Sequence, residues 1–165
     1  MITIAAVNEM PVKAFQSAFG DVAEHSPWVA LQAAKERPFA SRDAMILAFA
    51  GATGAASREA QLALIRAHPD LATRARLTDD STREQAGAGL DTLTPGEFAH
   101  FTKLNGRYKA KFGFPFIFAV KGATKHQILA SFEKRAGNSL DDEFAMAITQ
   151  IISIFRFRIE DRVAP

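Results

Sequence analysis

Apolar residues recur at helical spacing along almost the whole chain, and the strict alternation of a half-buried strand is nearly absent. Asn8 can cap a helix that puts Val12, Phe15 and Phe19 on one face, with Gly20 to stop it. Ser26-Pro27 reads as N-cap and first helical residue of a segment that Pro38 closes. Ser41 opens a more uniformly apolar helix through Met45-Ile-Leu-Ala-Phe-Ala50, a pattern that predicts burial nearly all round. Ser57 opens another, with Leu62 and Ile65 facing inward, which ends close to His68-Pro69. Thr94-Pro-Gly-Glu97 and Thr124-Lys-His-Gln127 match the capping box, in which first and fourth side chains satisfy each other's free backbone amides. The first box starts a helix with Phe98, Phe101, Leu104 and Tyr108 at helical spacing; the second starts one with Ile128, Leu129 and Phe132, ended by Gly137. From about Leu140 a long helix carries a wide apolar stripe of Phe144, Ile148, Ile151, Ile152, Phe155 and Ile159.

Two stretches do not read as helix. Residues 79–90 are polar and then glycine-rich, with Gly87 and Gly89, and residues 112–122 are apolar but contain Gly113 and Pro115. An apolar segment that is not helical has backbone amides that helix bonding does not use. Those amides can face a ligand, or the segment can be a buried connector. The fold expected is all-α: a single compact multi-helix domain over residues 1–165, with a short non-helical apolar segment near 112–122.

A chain of 165 residues is long enough to bury a core, and 48% hydrophobic with 23% charged residues is an ordinary globular mixture. There is no cysteine, which excludes disulfides, thiolate metal ligands and a cysteine nucleophile. The net charge is only +2 and the basic residues are dispersed, so no nucleic-acid partner is expected. No apolar run is long enough to cross a bilayer, so no membrane partner is expected either. The start lacks a basic n-region and the end lacks a Ser-Lys-Leu tail. A cytoplasmic location is therefore the expectation.

The four histidines, His25, His68, His100 and His126, include no pair at metal-ligand spacing, and no metal site is expected. Phosphate-cradling glycine loops and a nucleophile elbow are absent. His68 stands out because Pro69 pushes it out of helical geometry at a helix end. A histidine there can carry chemistry, or it can bond the last free carbonyls of its helix. Glu84 is equally two-sided, since Ser81-Thr-Arg-Glu84 also matches a capping box. Arg158 lies near the edge of the last helix's apolar stripe, where a buried guanidinium needs an anion.

Five separated segments, in order, carry a family resemblance. They are Glu24-His-Ser-Pro-Trp28, His68-Pro-Asp-Leu-Ala72, Ser81-x-x-Glu-Gln85 followed by Ala88-Gly-Leu90, Phe112-Gly-Phe-Pro-Phe-Ile-Phe-Ala-Val120, and Arg135-x-Gly-Asn138 leading into Glu143 and Arg158. Together they cover almost the whole chain, which resembles the 2-oxo-4-hydroxy-4-carboxy-5-ureidoimidazoline (OHCU) decarboxylase family. The resemblance implies a compact helical fold, commonly dimeric, that uses no metal or organic cofactor. His68 matches the catalytic histidine and Glu84 its acidic partner. Pro69, Ser81, Gln85 and Arg158 match substrate-contacting positions, as do Phe116, Ile117, Phe118, Ala119 and Val120 through their backbone groups. Phe118 and Val120 stand where the family varies, and Phe157 and Ile159 flank Arg158 where leucines are more usual.

The implied substrate is a small molecule whose ring C=N can take up the electron pair left when carbon dioxide departs. The protein then has to supply an anion anchor, donors for developing charge, and a proton source on one face. A rival of a different class is a non-catalytic helical module that binds a small ligand or regulates a partner.

Overall fold

The computed structural model describes residues 1–73 and 77–165. Among these residues the chain is all-helical, and its one β-like feature is an isolated bridge between Ile2 and Val163. The helices are α1 (Ile4–Glu9), α2 (Val12–Phe19), α3 (Trp28–Ala33), α4 (Arg42–Gly54), α5 (Arg58–Ala67), α6 (Asp79–Gly87), α7 (Pro95–Phe112), α8 (Lys125–Arg135) and α9 (Leu140–Arg162). Contacts group them into two compact units, Met1–Ala67 with Ile151–Pro165, and His68–Gln150.

In the first unit, Phe15, Phe19, Phe49 and Phe155 are fully buried, with ring centroids 5.0 Å apart for Phe15 and Phe19 and 6.1 Å apart for Phe49 and Phe155. Here the local sequence signals are only partly followed. Asn8 does not cap a helix that runs to Phe19. The chain breaks at Met10-Pro11, α1 is capped by Thr3, and Asn8 instead pairs with both backbone groups of Phe39 at 2.8 and 2.9 Å. Val12 is accordingly exposed, while Phe15 and Phe19 face inward. Ser26 donates its hydroxyl to the Glu24 carbonyl rather than capping α3. Ser41 does cap α4, but that helix is not buried all round: Met45, Ile46, Phe49 and Thr53 are inside, and Leu47 is 67% exposed.

The second unit is built on aromatic packing. Tyr108 of α7 lies edge-on to Phe116 and Phe132, and the last two stack at 3.9 Å with planes 6° apart. Both expected capping boxes form, at Thr94 with Glu97 and at Thr124 with Gln127. Because the Thr124 hydroxyl accepts from the Gln127 N–H at 3.2 Å, Thr124→Ala is expected to cost about 1 kcal/mol in urea denaturation. A loss within error of zero would show that the cap does not matter to α8. Past α7, Gly113 takes φ 76°, the left-handed value that closes a helix, and residues 114–120 run on without regular structure. Residues 79–87, in contrast, are helical despite their polar, glycine-flanked sequence. Thr78 caps them, and Asp79 and Asp80 sit in the first turn, where the helix dipole favours acids.

Candidate active site

Pro69 cannot continue α5, so the chain leaves the helix at His68 and turns. The His68 side chain is 6% exposed and its Nε2 is shielded from solvent. The turn that follows ends at Ala72, which is buried at φ 56°. Two side-chain amides hold it. Asn105 of α7 donates from Nδ2 to the Leu71 carbonyl at 2.9 Å, and the Ala72 N–H donates to Gln85 Oε1 of α6 at 3.0 Å. Outside them, Lys109 meets Asp70 at 3.1 Å in a partly exposed pair of minor energetic weight.

Ser81, Glu84 and Gln85 are spaced i, i+3, i+4 on α6 and so share one face. Ser81 and Gln85 are buried and Glu84 is half-buried. The expected cap at Ser81 is corrected here. Thr78 is the cap and accepts the Ser81 N–H, which places Ser81 inside the first turn. Gln85 joins this face to the His68 turn, so those two groups of expected residues are brought together. With its oxygen engaged by Ala72, Gln85 has its NH₂ donors to offer a ligand.

Residues 116–120 are anchored from behind. Arg135 lies over the Phe116 ring at 4.3 Å and donates from Nη1 to the Ile117 carbonyl at 2.7 Å. Arg135 is in turn paired with Glu143, which is fully buried, at 2.9 Å from Nη2. Asn138 donates to the same carboxylate at 3.0 Å, and the Tyr108 hydroxyl donates to it as well. Burial by itself pushes the Glu143 carboxyl up, but the hydrogen bonds from Arg135, Tyr108 and Asn138 outweigh it and the net shift is downward. Tyr108 is held far above its ordinary range, first by burial and then by its bond to Glu143. Further along, the Ala119 N–H donates to Gln150 Oε1 at 2.9 Å. That amide is therefore occupied, whereas the N–H groups of Phe118 and Val120 donate no hydrogen bond among the described residues.

Arg158 belongs to the first unit and is 3% exposed. The anion that its burial requires is present in the chain: Glu24 Oε2 lies 2.8 Å from Nη1, and the Val22 carbonyl lies at 3.3 Å. Residue spacing alone identified neither Glu24 nor the support residues Asn105, Arg135 and Glu143. Glu24, Arg135 and Glu143 were marked only by the segments that carry the family resemblance, and Asn105 by no signal. A cavity of about 960 Å³ in the first unit, lined by Trp28, Lys35, Phe39 and Leu47 among others, contains none of the expected site residues. Among the described residues no group of three or more His, Asp or Glu is placed to hold a metal ion.

Residues 8–160 match the family model described as OHCU decarboxylase. A protein of Haloferax volcanii named 2-oxo-4-hydroxy-4-carboxy-5-ureidoimidazoline decarboxylase is 43% identical over 161 residues, covering 98% of this chain and 96% of its own. The uric acid degradation bifunctional protein PucL of Bacillus subtilis is 41% identical over 98% of this chain, which spans 33% of that longer protein. Among solved structures, a crystal structure of (S)-allantoin synthase superposes with a TM-score of 0.80 at 29% identity, over 98% of this chain and 54% of that one. With matches that run almost from end to end, the chain belongs to the OHCU decarboxylase family.

Proposed function

We propose that this chain converts OHCU to (S)-allantoin and carbon dioxide in urate degradation, with His68 as general acid/base and Glu84 assisting it. The observation that carries the reading is the match over 161 residues with a relative named for this decarboxylation. In the reaction, the C–C bond to the carboxylate breaks and carbon dioxide leaves. The electron pair stays with the ring and is taken up by the adjacent C=N, whose nitrogen binds one proton, giving an enol-like intermediate. The intermediate becomes product when its hydroxyl proton is lost and the ureido-bearing carbon gains one. One proton is taken up overall, and the face from which carbon receives it sets the configuration.

A histidine suits that transfer because imidazole exchanges protons near neutrality. His68 is shielded from bulk water, so its exchange partners are limited to groups admitted beside it. Glu84, on the face of α6 that Gln85 ties to the His68 turn, is assigned to orient or charge-stabilise the imidazole. Pro69, Ser81, Gln85, residues 116–120 and Arg158 are assigned to hold the substrate. The open N–H groups of Phe118 and Val120 support that role for the segment, and the bond from Glu24 supports a fixed guanidinium at Arg158. The reading takes residues 1–165 as one catalytic module, acting as a cytoplasmic homodimer. Family resemblance supports the dimer, and no described helix is long and apolar enough to cross a membrane.

Circular dichroism of freshly generated substrate tests the activity. Added protein is expected to accelerate the appearance of optically active allantoin, because protonation from one face yields one enantiomer. An unchanged rate with racemic product would instead leave a binding module without turnover.

A further inference from the structure

Pro69 stops α5 but does not determine where the chain goes next, so the turn after His68 has to be held by other groups. One peptide unit receives both of the buried amides that do so. The Leu71 carbonyl and the Ala72 N–H belong to the same planar trans peptide and point in opposite directions. Asn105 of α7 grips the carbonyl at 2.9 Å and Gln85 of α6 grips the N–H at 3.0 Å. Immediately after this plane, Ala72 takes φ 56°, which residues with a Cβ seldom adopt. Held at both edges, the plane cannot rotate to relieve that strain without breaking a buried hydrogen bond.

Asn105 is not an efficient stabiliser of the fold. It is 8% exposed, and its Oδ1 is shielded from solvent with no hydrogen-bond partner among the described residues. A buried acceptor left unsatisfied works against folding. Leucine, of nearly the same shape, would remove that orphan and create another at the Leu71 carbonyl, so the number of unsatisfied acceptors would not change. What leucine would lose is the grip on the turn.

We propose that Asn105 is a positioning residue: together with Gln85 it holds the Leu71–Ala72 peptide from both sides and thereby sets the place of the His68 imidazole. The proposal rests on the assignment of His68 as proton carrier, and its test separates the two. Asn105→Leu is measured for melting midpoint, steady-state kinetics, and the ring signals of His68 in ¹⁵N–¹H spectra of the ligand-free protein. His68→Ala identifies those signals by their absence. The midpoint is expected to stay close to wild type and the His68 signals to move. A misplaced proton carrier should cost about 10–100-fold in kcat, with KM changed by no more than about threefold. Thr124→Ala, whose lost cap is far along the chain, should leave the ring signals and kcat alone. If Asn105→Leu does not fold, Asn105→Asp is read in the same way, since it keeps the shape and loses the donor. Ring signals that stay in place overturn the proposal, whatever happens to kcat. Ring signals that move while both Asn105→Leu and His68→Ala keep wild-type turnover uphold the positioning and remove His68 from the reaction.

Discussion

His68→Ala is expected to lower kcat about 10²–10⁴-fold, the usual contribution of a positioned proton carrier, while the far-UV spectrum stays helical. The helix before it ends at Ala67 and Pro69 terminates it independently, so the backbone does not depend on the imidazole. Packing does depend on it to a degree, because the side chain is 6% exposed and its removal leaves a small void. A modest fall in melting midpoint should therefore accompany the loss of rate. The decisive quantity is the initial rate at which optically active product appears. Near wild-type turnover in a folded variant would show that the proton comes from elsewhere. Glu84→Gln is the companion measurement: it removes charge from a half-buried position on α6, and a folded protein with a lowered rate would assign that charge to the reaction.

Glu143→Ala is expected to destabilise the protein by about 3–5 kcal/mol, because it leaves Arg135 charged and buried without its partner. Asn138 and Tyr108 lose their acceptor in the same step. Urea denaturation at neutral pH measures the loss, and a value below about 1 kcal/mol would show that Arg135 finds water or another anion. The wild-type contribution also depends on pH. Glu143 is held below its ordinary pKa of 4.5 in the folded protein, so it adds stability above that value. That stability is lost as the pH falls through the folded-state pKa. The gap between wild type and Glu143→Ala should consequently narrow in acid.

Features set by neighbours a turn apart could be read from the chain. The capping boxes at Thr94 and Thr124 are complete within four residues, and both form. Pro69 beside His68 marked a helix end for a similarly local reason. The break at Pro11 was legible too, but the apolar spacing of Phe15 and Phe19 behind Asn8 suggested a longer helix than proline allows. Residues 79–87 misled because Gly87 and Gly89 weigh against a helix, whereas the cap at Thr78 and the two acids after it favour one. The uniformly apolar run in α4 gave no sign of which face would be covered, and Leu47 turned outward. Most of the support for the site was out of reach of any local pattern. Gln85 reaches Ala72 across 13 residues, Asn105 reaches Leu71 across 34, and Arg158 reaches Glu24 across 134. These partners follow from tertiary packing, and only the family resemblance drew attention to most of those positions beforehand.

The segment at 116–120 has a further consequence in how its backbone polar groups are taken up. The Ile117 carbonyl and the Ala119 N–H are taken by the Arg135 and Gln150 side chains, in the part an adjoining strand would play. Of Phe118 and Val120, the N–H groups donate no hydrogen bond among the described residues, while the Val120 carbonyl accepts from the Ala123 N–H at 2.9 Å. Under the proposed substrate role of this segment, a flat heterocycle would meet it through acceptors spaced to those two N–H groups, so selection among rings would depend on acceptor spacing more than on bulk.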